Sequence, residues 1–251
     1  MYKGFSNRDR KLIFIENTES TNNDLKKLVY KEKEPLFAVL CADRQSGGRG
    51  RLGRSFFSPE GGLYFSFTLP LTGNEKNIPF ITLLAGLAVR DAIEDISGVS
   101  TLIKWPNDIY LNGKKLGGIL CELVSSGGLC AVVGIGINLD LREDDIPASL
   151  QDIMTSFSRE KIPPPDKSRL IHGICERLDF FIYENNELFS VSEDRLNALR
   201  KYSCSIGKKV RYNTGDSVTE GIITDILTTG AAEMTLADGS KKEIFCGEIT
   251  Q

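Results

Sequence analysis

Histidine is almost missing from this sequence, since His172 is the only one among its 251 residues. A metal site built from several histidines is therefore excluded, and a serine–histidine triad could use no other histidine. The surrounding pattern predicts a helix whose apolar face carries Leu170, Ile174, Leu178 and Phe181. His172 lies off that face, so we expect its side chain to be exposed to solvent.

Cysteine pairs of the Cys-x-x-Cys type are also absent, which removes a common sign of a zinc or redox site. Five of the six cysteines lie in or beside apolar stretches that are typical of strands or helices. We therefore expect reduced thiols that are buried in the core. The six are Cys41, Cys121, Cys130, Cys175, Cys204 and Cys246.

Long hydrophobic runs and an excess of one charge are lacking as well. The longest apolar-rich stretch, from Ile78 to Val89, is too short to span a bilayer, and the first ten residues lack the apolar segment of a signal peptide. A net charge of -3 favours neither nucleic acid nor an anionic membrane as a partner. We expect a cytoplasmic protein whose anion sites come from local clusters of basic residues.

The chain is long enough for two domains, and its hydrophobic fraction of 41% is that of an ordinary folded enzyme. After Gly207 the sequence changes to short strands separated by glycine-containing turns, which is typical of a small β-barrel. We place a first domain at 1–204 and a second at 205–251, with the boundary near Cys204 to Gly207. The three turns are Thr214-Gly215-Asp216, Thr229-Gly230 and Asp238-Gly239.

Hydrophobic periodicity predicts the strands and helices of the first domain. The predicted strands are Leu12–Glu16, Leu36–Ala42, Leu63–Leu69, Leu102–Leu111, Leu116–Leu123 and Ala131–Leu139. The predicted helices run from about Asn23 to Lys33, from Pro79 to near Gly98, from Lys167 to Glu187 and from Ser192 to Tyr202. Asn112-Gly113 is a strong signal for a tight hairpin turn.

The segment Arg44 to Arg54 alternates arginine with glycine and has no hydrophobic period. Arginine binds phosphates and carboxylates through paired hydrogen bonds, and glycine lets the backbone turn its N–H groups toward an anion. One interpretation of this segment is a binding site for an anion. The alternatives are a solvated basic loop and a segment that contacts RNA non-specifically. The sequence has no Gly-x-x-x-x-Gly-Lys-Ser/Thr stretch, so any nucleotide is not held by an ordinary P-loop.

Lys104-Trp105-Pro106-Asn107-Asp108 lies inside a predicted strand, where a lysine followed by tryptophan and proline is unusual. A lysine ammonium suits a site where a carboxylate attacks a phosphate, because it neutralises both reactants. Asn107 and Asp108 offer oxygens that Mg²⁺ accepts, and a turn-forming Asn-Asp pair is the equal alternative.

Two further segments offer surfaces for a ligand. Gly134, Gly136 and Asn138 alternate along one strand and leave a nearly bare face, which Gly117-Gly118 would extend as the floor for a flat ring. A bulge or tight helix packing is the alternative. Ser20-Thr21-Asn22 supplies hydroxyl and amide groups for a neutral polar ligand, although helix capping explains Ser20 or Thr21 equally well.

Taken together, these segments resemble biotin protein ligases over almost the whole chain. Gly-Arg-Gly-Arg-x-Gly-Arg at 48–54, Lys-Trp-Pro-Asn-Asp at 104–108, Gly-Gly-Ile-Leu at 117–120 and Gly-Ile-Gly-Ile-Asn at 134–138 occur in the order and spacing of that family. The resemblance implies an α+β fold in which helices flank a mixed sheet, as in class II synthetases. It also implies that the C-terminal β-barrel is SH3-like.

The resemblance further implies the site residues. The expected biotin-binding residues are Ser20, Thr21, Asn22, Gln45, Arg49, Gly50, Arg51, Lys104, Gly117 and Gly118. The expected nucleotide-binding residues are Arg49, Arg51, Arg54, Lys104, Asn107, Gly136 and Asn138. Lys104, Arg49 and Arg51 are the expected catalytic residues, and Asp108 is the expected metal ligand. Leu52 and Phe56 stand where some members have an arginine and a tryptophan, so contacts made there are not carried over.

The implied reaction joins biotin to a carrier protein in two steps. Biotin and Mg-ATP give biotinyl-5'-AMP and pyrophosphate, and a lysine of a biotin carboxyl carrier protein then attacks the mixed anhydride. No enzyme nucleophile is required, which agrees with a sequence that lacks a convincing Ser-His or Cys-His arrangement. We expect catalysis through positioning and charge neutralisation.

Several points stay open. The first predicted strand begins close to Met1, so we expect a monofunctional ligase without the N-terminal DNA-binding domain of some members, and a dimer that binds neither DNA nor membrane. One alternative is a lipoate or octanoate ligase with the same fold, but such ligases lack the arginine loop. The other is a non-catalytic module that senses biotin or touches RNA, which would not need Lys104.

Overall fold

The structure is a computed structural model that describes residues 10–33, 37–71, 78–183, 192–213, 217–245 and 248–250. The helices are α1 (Thr21–Glu32), α2 (Ile78–Ser97), α3 (Lys167–Tyr183) and α4 (Glu193–Tyr202). The first seven strands are β1 (Lys11–Thr18), β2 (Ala38–Gln45), β3 (Leu63–Leu71), β4 (Leu102–Lys104), β5 (Asp108–Leu111), β6 (Lys114–Ser125) and β7 (Leu129–Ile137). The C-terminal strands are β8 (Lys209–Asn213), β9 (Val218–Ile226), β10 (Ala232–Thr235), β11 (Lys241–Ile244) and β12 (Glu248–Thr250).

The first seven strands form one mixed sheet in the order β1-β2-β3-β7-β6-β5-β4. Only the β1–β2 pair is parallel, and α1 supplies the crossover that a parallel pair needs. All other neighbours are antiparallel. The expected mixed sheet flanked by helices is therefore confirmed.

Helices cover both faces of this sheet. On one face, α2 and α3 pack through residues such as Ala85 and Leu178 against Phe65 and its neighbours, which forms the main core. On the other face, Leu25 and Val29 of α1 pack against the sheet in a smaller cluster. Because α1 is only 12 residues long, it leaves the rest of its face free for other segments.

The C-terminal strands form a separate five-stranded antiparallel sheet in the order β11-β10-β9-β8-β12. The predicted boundary near Cys204 to Gly207 falls between α4 and β8. Trp105 joins the two parts, since its indole Nε1 donates to the Gly230 carbonyl at 3.0 Å and its backbone N–H donates to Ser205 Oγ at 3.0 Å. Trp105 is buried between them.

One predicted strand is wrong. The stretch Leu102–Leu111 is broken into β4 and β5, which pair with each other so that Lys104 lies opposite Asp108. Pro106 has no N–H to continue a strand ladder, so the strand is interrupted at this position and the segment turns back on itself. The Trp105–Pro106 peptide is cis. The Asn112-Gly113 hairpin turn is confirmed, with both residues at positive φ.

The helix predictions hold apart from their ends. Helix α1 begins at Thr21, two residues before the expected start, because Ser20 caps it and accepts a hydrogen bond from the Asn23 N–H. The last predicted residues of the third helix, 184–187, and the turn at 214–216 lie outside the described residues. None of the described helices, of which α2 is the longest at 20 residues, combines the length and apolar character of a membrane span.

Within the described residues, the expectation for histidine is met, and the expectation of buried thiols is met for three of the five cysteines. His172 lies on α3 with its side chain 75% exposed, 3.1 Å from Glu176. Five cysteines are free thiols, of which Cys41, Cys130 and Cys175 are buried and the other two, Cys121 and Cys204, are partly exposed. Cys246 lies outside the described residues.

Candidate active site

A cavity lies on the α1 face of the large sheet, beyond the first turn of α1 and beneath the arginine loop (residues 44–54). It brings together most of the predicted site residues, although these come from five separate stretches of the sequence. Those that line it are Ser20, Thr21, Asn22, Gln45, Arg49, Gly50, Arg51, Arg54, Lys104, Asn107, Asp108, Gly118 and Gly136.

One end of the cavity is neutral and polar. The Thr21 backbone N–H and hydroxyl donate to Gln45 Oε1 at 2.9 and 3.1 Å, and Gln45 Nε2 donates to Ser58 Oγ at 3.0 Å. The buried Ser66 hydroxyl lies 2.7 Å from Thr21 Oγ1 and 2.6 Å from Asn22 Oδ1. This network fixes several donors and acceptors in place, which suits a neutral ligand with both kinds of group.

The arginine loop forms the roof. Its backbone closes on itself, since the Gly50 N–H donates to the Arg54 carbonyl at 2.7 Å and the Phe56 N–H to the Gly48 carbonyl at 2.8 Å. A Cβ at Gly48 would lie 2.4 Å from the Phe56 carbonyl oxygen, so only glycine permits this approach. Arg51 Nη1 donates to Asn107 Oδ1 at 3.3 Å, which ties the loop to the far side of the cavity.

The turn between β4 and β5 supplies the cationic end. Lys104 Nζ lies 3.3 Å from the Tyr110 hydroxyl and, within the described residues, forms no ion pair. Asp108, in contrast, pairs with Lys115 at 2.7 Å. The Asn107 side chain is fixed by a hydrogen bond from Nδ2 to the Ile119 carbonyl at 3.1 Å. Lys104 is therefore a cation at a cavity wall that no acid of the described chain neutralises.

The expected bare floor is only partly bare. A Cβ at Gly134 would lie 2.1 Å from Asn22 Oδ1, so α1 packs tightly there, as in the helix-packing alternative. A Cβ at Gly136 would lie 2.5 Å from the Phe56 ring, which itself occupies the place expected for a flat ligand ring. Glycine at both positions allows these side chains to approach the backbone of β7.

Two predicted site residues do not line the cavity. Gly117 is buried, and a Cβ there would lie 2.5 Å from the Gly136 carbonyl oxygen, so its small size serves the approach of another backbone. Asn138 is buried as well, and its Nδ2 donates to the Thr155 carbonyl at 2.9 Å. Asn138 thus holds the segment after β7 rather than facing the cavity.

Among the residues that line the cavity and were not predicted as site residues are Phe56, Lys115 and Ile249. Lys115 follows the Asn112-Gly113 turn and stands two residues before Gly117-Gly118, which was the available signal. Ile249, in the C-terminal β12, had no local signal, because only the packing of the two sheets brings it here.

Metal binding rests on a single carboxylate. The described residues contain no group of three or more His, Cys, Asp or Glu side chains that could hold an ion by themselves. Mg²⁺ usually keeps several waters and binds one or two carboxylates together with substrate phosphates. Asp108, beside Asn107 at the cationic end, fits that pattern, and its metal role stays a prediction.

Known proteins share this architecture and sequence. The model of the biotin/lipoate A/B protein ligase family matches residues 14–140, which include both ends of the cavity. The chain belongs to this ligase family. This ligase is 33% identical to the bifunctional ligase/repressor BirA of Bacillus spizizenii over 240 residues, which are 94% of this chain and 71% of the relative.

Two further comparisons point the same way. The ligase is 29% identical to the biotin–[acetyl-CoA-carboxylase] ligase of Mycobacterium tuberculosis over 227 residues, which are 86% of this chain and 80% of the relative. It superposes on the biotin protein ligase of Aquifex aeolicus in complex with biotin and ATP with a TM-score of 0.79 at 31% identity, covering 96% of this chain and 97% of the other. The resemblance inferred from four short motifs is thereby confirmed.

Proposed function

We propose that this protein is an ATP-dependent biotin protein ligase that forms biotinyl-5'-AMP and transfers biotin to a lysine of a biotin carboxyl carrier protein. The observation that carries the proposal is a cavity with two chemically different ends. Its neutral end, at Thr21, Asn22 and Gln45, matches the urea group of biotin, and its cationic end, at Lys104 and Arg51, matches a carboxylate beside a phosphate.

In the first step, a biotin carboxylate oxygen attacks the α-phosphorus of ATP. A new O–P bond forms while the bond to the bridging oxygen breaks, and pyrophosphate leaves with that oxygen. Both reactants are anions, so their approach needs positive charge. Lys104, which no acid of the described chain neutralises, supplies that charge from the wall, and Arg49 and Arg51 supply it from the roof.

In the second step, the acceptor lysine amine attacks the carbonyl carbon of the mixed anhydride, and AMP leaves as an amide bond forms. The carrier lysine is the nucleophile, so the enzyme needs none of its own. The arginine loop above the cavity keeps water from the anhydride, because its backbone is closed by the hydrogen bonds at Gly50 and Phe56.

Mg²⁺ would be held by Asp108 and the nucleotide phosphates, and its part is to neutralise phosphate charge. Lys115 pairs with the same carboxylate, so it fixes the position of Asp108 at this end. The carrier is a carboxylase subunit or domain, as the names of the Mycobacterium tuberculosis and Paracoccus denitrificans relatives indicate. The dimer, the cytoplasmic location and the lack of DNA binding stay predictions.

ATP–pyrophosphate exchange tests the first step without the carrier. The purified protein is incubated with Mg-ATP, labelled pyrophosphate and biotin, lipoate or octanoate. Label should enter ATP with biotin alone. Exchange with lipoate or octanoate instead would assign the protein to the other branch of the family, and no exchange with any acid would overturn the adenylation proposal.

A further inference from the structure

Glu122 on β6 lies behind the cavity wall and is not among the residues that line it. Its Oε2 accepts a hydrogen bond from Asn22 Nδ2 at 2.8 Å, and its Oε1 lies 2.8 Å from Lys26 Nζ and 3.9 Å from Arg49 Nη1. One carboxylate therefore connects the first turns of α1, the centre of β6 and the arginine loop. None of the four sequence motifs contains Glu122.

The Glu122 carboxylate is ionised at neutral pH. Burial by itself would raise the pKa of Glu122, but the hydrogen bonds from Lys26 and Asn22 and the positive charges of Lys26 and Arg49 outweigh it and lower the pKa below its usual value. Its side chain is 23% exposed, so this charge is only partly screened by solvent.

Glu122 and the Leu120 carbonyl together set which way the Asn22 amide faces. A carboxylate only accepts hydrogen bonds, so the Asn22 NH₂ group must point toward it, where it also donates to the Leu120 carbonyl at 3.2 Å. Asn22 Oδ1 is thereby directed to the opposite side, toward Ser66 and Gly134. With Glu122 removed, only the weaker bond to the Leu120 carbonyl would hold this orientation, and an amide that flips would exchange an acceptor for a donor at the neutral end of the cavity.

Glu122 also acts on the arginine loop. Arg49 Nη1 donates to Asn23 Oδ1 at 3.0 Å on the side that faces Glu122. A guanidinium has five N–H donors in a rigid plane, so contacts at one nitrogen orient the group and leave donors for an anion in the cavity. Lys26, one turn after Asn22 on α1, holds the Glu122 carboxylate in a position where it reaches both Asn22 and Arg49.

We propose that Glu122, held by Lys26, is a positioning residue of the proposed ligase site, which orients the Asn22 amide and the Arg49 guanidinium toward biotin without touching it. The inference rests on the proposed function for its effect on biotin. Its effect on the arginine loop does not depend on the proposed function, because the contacts of Arg49 with Glu122 and Asn23 exist in the protein without substrate.

The first test uses no substrate. Trypsin cuts after arginine, so the rate of cleavage after Arg49, Arg51 and Arg54 in the folded protein reports how firmly the loop is held. Glu122→Gln should be cut about threefold faster than wild type, which corresponds to about 0.6 kcal/mol of lost restraint, the size expected of a partly exposed ion pair. The matched control is Glu220→Gln. Glu220 is an exposed carboxylate on β9 whose two cationic neighbours, Lys209 and Arg211, lie on β8. Cleavage of Glu122→Gln at the wild-type rate would overturn the proposal.

The second test measures ATP–pyrophosphate exchange for the same variants. Glu122→Gln should raise KM for biotin about tenfold, with a smaller change in kcat and in KM for ATP, while Glu122→Asp restores part of the loss. If Glu122 had a merely structural role, Glu122→Gln would lower the melting temperature and leave KM for biotin unchanged. That result, or a lower KM for biotin, would contradict the proposal. If Glu122→Gln does not fold, Lys26→Met tests the same contact. Absence of exchange in the wild type would refute the ligase function, and the trypsin result would still decide the role at the loop.

Discussion

At the scale of single residues, Lys104 is a cation at the cavity wall that no described carboxylate neutralises. It is half-buried, its nearest polar partner is the Tyr110 hydroxyl, and none of the described carboxylates pairs with it. Replacing Lys104 with alanine should lower the rate of biotin-dependent exchange by about 100- to 1,000-fold, because a charge aimed at the transition state is lost. Circular dichroism and melting temperature should stay near wild type.

The control for this variant is Lys209→Ala, which removes an exposed lysine of β8 that does not line the cavity. Its exchange rate should equal that of wild type. Full activity in Lys104→Ala would show that the cationic end acts through the arginines alone.

Gly134 provides a second test at this scale, because any side chain there meets Asn22. A Cβ would lie 2.1 Å from Asn22 Oδ1, so Gly134→Ala must push the amide away from the neutral end of the cavity. We expect KM for biotin to rise by about tenfold or more. Gly86→Ala is the matched control, since a Cβ there meets nothing closer than 3.6 Å, and a helix interior gains about 0.5–1 kcal/mol from the change. An unchanged KM in Gly134→Ala would mean that Asn22 does not contact the substrate.

The buried thiols should be inert in the folded protein. Burial raises the pKa of Cys41 and of Cys175 to about 12 and that of Cys130 to about 11. At pH 8 these groups are therefore thiols rather than thiolates, and only the thiolate reacts with iodoacetamide. Mass spectrometry should find these three cysteines unmodified in native buffer and alkylated in urea. Rapid alkylation of the native protein would show that this part of the core opens.

At the scale of secondary-structure elements, local signals were sufficient for some features. The Asn112-Gly113 turn was predictable because both residues tolerate positive φ, and the start of α1 was nearly so because Ser20 is a good cap. The break between β4 and β5 was missed, although Pro106 was visible. The break was missed because the apolar residues on both sides of Pro106 continue the strand pattern. Where the chain turns depends on the register of β5 against β6, which the sequence pattern does not show.

Contacts between elements could not be predicted from local patterns. The glycines of β7 were expected to form a bare floor for a ligand ring, with tight helix packing as an alternative. The groups that approach them, Asn22 and Phe56, come from other segments. The same holds for Glu122, which looks like an ordinary strand residue until α1 brings Lys26 beside it. Family motifs name the residues that touch ligands, whereas the side chains that hold those residues depend on tertiary register.

At the scale of the whole molecule, Trp105 connects the turn that carries Lys104 to the C-terminal sheet. Trp105→Phe keeps the aromatic ring but removes the donor to the buried Gly230 carbonyl. An unpaired buried carbonyl costs about 1–3 kcal/mol, so the free energy of unfolding in urea should fall by that amount. Tyr30→Phe, which changes an exposed tyrosine on α1, should have no effect. A Trp105→Phe protein as stable as wild type would show that the indole hydrogen bond does not join the two parts.

The residues that line the cavity are synthesised at very different times. Thr21 and Gln45 belong to its neutral end, and Ile249 closes it from the C-terminal sheet. A ribosome that adds about 5–20 residues per second reaches Ile249 about 10 to 40 seconds after Gln45. The first residues of the neutral end are therefore synthesised well before the last wall of the cavity, and the whole pocket can form only after Ile249 has been added.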